Sequence, residues 1–173
     1  MIYILLLFFG HWFVSLFFHT SFLHRFASHK MFTASKTVER MFYFFTWVSQ
    51  GSSYLVPRAY AVMHRMHHEY SDTKEEPHSP YFFKDVFGMM MHTRNIYNGF
   101  VSGKLTPASK FCNDLPIWTK LDQFGDHYLV RFAWAILYTA SYLFLINHFD
   151  LSYFWLLLLP IHDASGALQH RLL

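Results

Sequence analysis

Long uncharged apolar stretches alternate with polar segments along this chain. Met1 to His24 carries no formal charge and is long enough to cross a bilayer, which needs about 20 residues. Phe132 to Phe149 is a second uncharged stretch, and after Asp150 the strongly apolar run Leu151 to Ile161 begins a return crossing. These patterns predict an all-α fold with membrane-crossing helices and a helical hairpin that starts near Tyr128.

A third apolar stretch, Met41 to Met63, is interrupted by polar residues, Gly51 and Pro57. A single crossing there would place the basic residues between Arg65 and Lys110 outside the cell, against the positive-inside rule. Two crossings would need about 40 residues, more than this stretch contains. We therefore expect a helix that lies in the membrane interface, with the segments before and after it on the same side.

Composition supports an integral membrane protein of one domain, residues 1–173, that crosses the bilayer more than once. The chain is 53% hydrophobic and only 14% charged, whereas a soluble domain averages about 25% charged residues. The net charge of +3 arises from basic residues beside the apolar runs, which argues for membrane orientation and against a nucleic-acid partner. The cluster from Arg25 to Arg40 places the end of the first crossing in the cytoplasm. Cys112 is the single cysteine, so the chain can form no internal disulfide.

Histidine is the unusual residue, with thirteen copies and two tight clusters. His64, His67 and His68 are spaced i, i+3 and i+4, so a helix presents them on one face. His24 and His29 are five apart, about 140° around an ideal α-helix, and converge only if they flank one metal or the helix end unwinds. Imidazole binds iron, zinc, copper and nickel well. The two clusters predict a metal site at the cytoplasmic mouth of the membrane region.

The clusters and their flanks resemble the histidine boxes of membrane fatty acyl desaturases. The segment His24-Arg25-(x)3-His29-Lys30 is similar to the first box. The run His64-Arg65-Met66-His67-His68, followed by Glu69 to Thr73 and Glu76-Pro77-His78, is similar to the second box of the acyl-CoA delta-9 branch. The resemblance covers about residues 1 to 162. It implies an integral membrane helical bundle with cytoplasmic histidine-box helices.

This resemblance implies a chemistry as well as a fold. The family inserts a cis double bond into a saturated acyl chain, with two non-haem iron ions and O2. Its partners are fatty acyl-CoA or another acyl carrier, and an electron donor such as a cytochrome b5-like protein or a ferredoxin. The metal ligands that match are His24, His29, His64, His67 and His68. Asp72 and His78 are expected beside these ligands, Glu69 is a further carboxylate candidate, and Arg94 is expected near the head group of the acyl carrier.

The pattern departs from the family near its end. The third histidine box has no counterpart, and His170 stands where relatives carry an asparagine. Residues 163–173 form an atypical polar tail where the return crossing should continue. We expect a truncation or frameshift near residue 163, and hence an inactive fragment as one interpretation. Two others stay open: a related histidine-box hydroxylase, and a non-enzymatic membrane protein that binds or transports metal.

Overall fold

Helices form all the regular structure in the part of the chain that is described. The structure, a computed structural model, describes residues 1–71, 73–77 and 83–164. The all-helical prediction is confirmed for these residues. The α-helices are α1 (Ile2–Phe18), α2 (Lys36–Gln50), α3 (Pro57–Tyr70), α4 (Val86–Ser102), α5 (Thr119–Asp126), α6 (Tyr128–His148) and α7 (Leu159–Asp163). A π-helix (His19–Ser28, the π segment) continues α1, and short 3-10 helices cover Gly51–Ser53, Ser109–Phe111 and Tyr153–Leu158.

Two of the described helices are long and apolar enough to cross a membrane. They are Ile2–Ser28, which joins α1 to the π segment, and Tyr128–His148. Only 22% and 17% of their most apolar windows are buried, whereas the core helix of a soluble protein is mostly buried. Both therefore present a largely apolar surface to their surroundings.

The stretch Met41 to Met63 does not form one continuous helix. Helix α2 ends at Gln50, where Gly51 adopts a positive φ of 51°, and α3 begins at Pro57. Helices of 15 and 14 residues are each shorter than the roughly 20 residues that a crossing needs. The interfacial location of this stretch stays a prediction.

The chain divides into two compact units, and the first contains Met1–Phe22, Ala34–Leu55 and the residues from Trp118 onward. Its apolar core forms around Ile4, Tyr142 and Ile146, and apolar residues of the segment after Asp150 pack against this core. Asp150 has a positive φ of 52° directly after α6, and the 3-10 helix Tyr153–Leu158 and α7 follow it. The helical hairpin that the sequence predicts from Tyr128 stays a prediction.

A row of hydrogen-bonded rings also connects α1 with α6 and α7 in this unit. The His11 and His162 rings are joined at 2.8 Å between Nδ1 and Nε2. Tyr138 Oη lies 3.3 Å from His11 Nε2, and Tyr142 Oη lies 3.1 Å from His162 Nδ1. His162 is 2% exposed, and polar atoms buried this deeply need partners. In this row the partners are ring nitrogens and tyrosine hydroxyls.

Two further polar contacts fix the segment between α2 and α3 within the first unit. The Tyr43 hydroxyl donates to both carboxylate oxygens of Asp122, at 2.7 and 2.8 Å, and the Tyr54 hydroxyl donates to one of them at 2.9 Å. A Cβ at Gly51 would lie 1.8 Å from Tyr138 Oη. Only glycine fits this close approach with a positive φ.

The second unit contains Leu23–Thr33 and Val56–Ile117. Pro57 starts α3 at its first turn, where a missing N–H costs nothing. Asp85 caps α4 by accepting a hydrogen bond from Gly88 N–H at 2.6 Å. Arg58 on α3 donates to the Phe100 carbonyl on α4 at 3.1 Å. All five histidines of the two sequence clusters lie in this unit.

Candidate metal centre

The π segment places both histidines of the first cluster on one side of its helix. The His29 N–H donates to the His24 carbonyl at 3.1 Å, an i→i+5 bond that defines this helix type. With wider turns than an α-helix, a spacing of five residues brings side chains back to a similar direction. The His24 and His29 ring centroids are 4.6 Å apart. The π-helix therefore removes the divergence that an ideal α-helix would impose.

The π segment ends at Ser28, directly before His29. Lys30 adopts a positive φ of 54°, and the Met31 N–H bonds back to the Arg25 carbonyl at 3.0 Å. Helices commonly end at a residue with left-handed backbone angles, next to a backbone hydrogen bond that spans five or six residues. The Ser28 hydroxyl adds a bond to the Leu23 carbonyl at 2.8 Å. His29 is thus the last side chain before the chain turns away.

Helix α3 supplies the second group of imidazoles. His64 is 7% exposed and stacks against Tyr60, one turn earlier, with ring planes 10° apart. His68 follows one turn later, and its Nε2 lies 3.1 Å from His64 Nε2. His64 is therefore held by aromatic packing with its Nε2 directed toward neighbouring imidazoles.

The two groups meet around the Nε2 atom of His64. His29 Nε2 lies 3.0 Å from it, and the His24 ring centroid lies 4.6 Å from the His64 ring centroid. Ligand atoms of His24, His29 and His64 all fall within 4.8 Å of one another, so this triad could hold a metal ion. The His68 ring is 4.8 Å from that of His29. We call these four residues, His24, His29, His64 and His68, the histidine cluster.

The spacing of these nitrogens suits a shared cation. Imidazole nitrogens bind zinc at about 2.0–2.1 Å, so two of them on a tetrahedral ion lie about 3.3–3.4 Å apart. The observed 3.0 and 3.1 Å need to widen by only a few tenths of an ångström. His24 Nδ1 is buried with no hydrogen-bond partner among the described residues. A buried nitrogen of this kind is suited to bind a metal ion.

Burial and neighbouring groups lower the pKa of two imidazoles of the cluster, His64 and His29. Burial, together with His24, His68, His29 and His67, lowers the pKa of His64 to about 2. Loss of solvent around the ring lowers the pKa of His29 as well, helped by His68 and Arg65. A neutral imidazole keeps a free lone pair, which is the form that binds metal. At neutral pH His29 and His64 are therefore in the form that binds metal.

His67 lies at the edge of the cluster and has a carboxylate partner. Its Nδ1 is 2.7 Å from Oε1 of Glu76, and Glu76 is only 5% exposed. The His67 ring centroid lies 6.3 Å from that of His64, farther than the ring of His68 at 4.7 Å. A carboxylate on one nitrogen fixes the tautomer and leaves the other nitrogen as the ligand atom. This is the arrangement of a metal-binding histidine, and the His67 ring centroid lies 5.5 Å from that of His68 in the cluster.

The other predicted site residues have different positions. Asp72 and His78 lie outside the described residues, so their expected role beside the ligands stays a prediction. Glu69 is exposed and pairs with Lys110 at 2.7 Å. Arg94 is exposed on α4. Sequence reasoning missed Glu76 as a partner, although an acidic residue beside a proline soon after the box was a usable signal.

Comparison with known proteins adds no identity. No family model, no curated protein and no solved structure matches this chain.

Proposed function

We propose that this chain is a membrane fatty acyl desaturase, in which the histidines hold a non-haem di-iron centre. The observation that carries the proposal is the meeting of the two histidine clusters within one unit, with Nε2 atoms of His29 and His64 3.0 Å apart. Both clusters were matched to desaturase boxes by their sequence pattern alone. Their meeting is what a shared metal centre requires.

Bound iron would supply, with O2, an oxidant strong enough to remove hydrogen from a methylene group, which no amino-acid acid or base can do. The protein's own part is to orient the imidazoles. The π segment directs His24 and His29, the face of α3 directs His64 and His68, and Glu76 holds one nitrogen of His67. Rigid ligand placement of this kind sets the geometry and affinity of a metal site.

Membrane location belongs to the same proposal. The spans Ile2–Ser28 and Tyr128–His148 would anchor the chain as a multi-pass protein, and the basic residues from Arg25 to Arg40 favour a cytoplasmic site. Arg94 is exposed and would suit a phosphate group of an acyl-CoA or another acyl carrier. Electrons would come from a small donor protein such as a cytochrome b5-like protein or a ferredoxin.

A second candidate is a membrane protein that binds a metal ion without catalysing a reaction. The triad His24, His29 and His64 favours it, because its ligand atoms all lie within 4.8 Å of one another and could hold one ion alone. A hydroxylase is chemically close to a desaturase, and its product distinguishes it.

The test combines metal content with lipid analysis. The chain, His64→Ala and His92→Ala are expressed in a desaturase-deficient host; His92 is an exposed control on α4. A desaturase yields iron in the purified protein and new cis double bonds, and both disappear in His64→Ala only. Hydroxylated acyl chains would indicate the hydroxylase, and metal without any lipid product would indicate the binding protein or the inactive fragment. Equal metal content in the chain and in His64→Ala would refute the site itself.

A further inference from the structure

Arg65 binds four backbone carbonyls of the second unit through one guanidinium group. Its Nε donates to the Ser28 carbonyl at 2.9 Å and its Nη2 to the Ala27 carbonyl at 2.9 Å. Its Nη1 donates to the carbonyls of Phe111 and Asn113, at 3.0 and 2.8 Å. The side chain is used for backbone contacts on two separate segments.

Two of these acceptors end the π segment. The last carbonyls of a helix have no partner within it and form the negative end of its dipole. Arg65 supplies Ala27 and Ser28 with both a donor and a positive charge. A planar guanidinium can reach several acceptors at fixed angles, whereas a lysine ammonium is a compact charge on a flexible stem.

The position of Arg65 in the chain gives these contacts a consequence for the metal site. His29 directly follows Ser28, and His64 directly precedes Arg65. The hydrogen bonds from Arg65 to Ala27 and Ser28 therefore connect the two backbone segments from which the His29 and His64 imidazoles project. These hydrogen bonds set the distance between the backbones of His29 and His64 without any contact between the two imidazoles.

We infer that Arg65 is a positioning residue that fixes the first histidine pair against α3, so that His29 and His64 can share one metal ion. The inference rests on the proposed metal site. It assigns Arg65 no contact with metal or substrate. Its effect passes through the backbone of Ala27 and Ser28.

Arg58 provides a matched control on the same helix. It also donates to a backbone carbonyl, that of Phe100 at 3.1 Å, but it has no contact with the π segment among its described hydrogen bonds. Arg65→Lys and Arg58→Lys keep the charge and lose the guanidinium fork. A general loss of stability would appear in both variants.

The full chain in detergent micelles is titrated with Co(II), whose visible absorption reports the ligand geometry, and hydrogen exchange is followed at the amides of residues 27–31. Arg65→Lys should weaken Co(II) binding about 10- to 100-fold, the usual effect of losing an outer partner of a metal ligand. Its Co(II) spectrum should change and those amides should exchange faster. Arg58→Lys should keep the affinity, the spectrum and the exchange rates of the unchanged chain.

The two measurements separate this inference from the proposed function. Unchanged Co(II) affinity and exchange in Arg65→Lys would overturn the positioning role, as would equal losses in both variants. If the unchanged chain binds no Co(II), the metal site is refuted, and faster exchange in Arg65→Lys alone would then show only that Arg65 orders the π segment. In that case the role in metal sharing is overturned too.

Discussion

Acid should destabilise the metal-free protein through His64. In the unfolded chain this imidazole takes up a proton near pH 6.5, whereas in the folded protein burial and the neighbouring imidazoles lower its pKa to about 2. Between these values the unfolded state binds more protons than the folded state. The free energy of unfolding therefore falls as the pH is lowered below about 6.5.

The size of the effect follows from the shift. One proton taken up only by the unfolded chain costs at most about 1.4 kcal/mol of stability per pH unit. Because the unfolded imidazole is already half protonated at pH 6.5, the loss between pH 6.5 and 4.5 is about 2.3 kcal/mol. His64→Phe fills the buried position beside Tyr60 with an aromatic ring that cannot be protonated. The assay is chemical unfolding in micelles with a chelator present, followed by tryptophan fluorescence from pH 7 to 4.5.

We expect the free energy of unfolding to depend less steeply on pH in His64→Phe than in the unchanged chain. His92→Phe, an exposed control, should keep the full slope. Parallel curves for His64→Phe and the unchanged chain would contradict the reasoning, because His64 would then not be held neutral by the fold. Saturating metal at 100 times its dissociation constant should add about 2.7 kcal/mol at pH 7 and progressively less in acid, since protons compete for the ligands.

Three further substitutions test other parts of the structure. Gly51→Ala should cost at least about 2 kcal/mol, from the positive φ and from overlap with Tyr138, and thermal unfolding measures it. Glu76→Gln should weaken Co(II) binding about tenfold or more, whereas Glu75→Gln, at an exposed neighbour, should not; equal affinities would exclude a role for the His67 carboxylate pair. Asp122→Ala should cost about 2–4 kcal/mol because it removes the acceptor of two buried tyrosine hydroxyls, and an unchanged melting temperature would contradict this.

Sequence periodicity predicts helices better than it predicts their type. The apolar runs identified the helices that begin at Ile2 and Tyr128, and the i, i+3, i+4 spacing placed His64 and His68 on one face of α3. The same reasoning predicted that His24 and His29 point in different directions, because it assumes the roughly 3.6 residues per turn of an α-helix. A π-helix is rare and depends on its surroundings, so the residues in the segment itself do not reveal it.

Contacts between distant residues were also beyond the sequence pattern. His11 and His162 are 151 positions apart, and nothing in their local context links them. The carbonyl partners of Arg65 are backbone atoms, which every residue type provides. Glu76 was visible as an acidic residue beside a proline, but its burial against His67 depends on how the loop after α3 folds.

The two helices of the histidine cluster bring imidazoles to the same separation with different numbers of residues between the histidines. On α3 the pair His64 and His68 is four residues apart, whereas on the π segment His24 and His29 are five apart, with ring centroids 4.7 and 4.6 Å apart respectively. A designer who transplants the five-residue spacing to an ordinary α-helix would lose the pair, and one who shortens the π segment by a residue could recover it with α-helical turns. The spacing of the histidines can therefore change only if the helix type changes with it. A one-residue gap in an alignment of such segments can then preserve the site rather than destroy it.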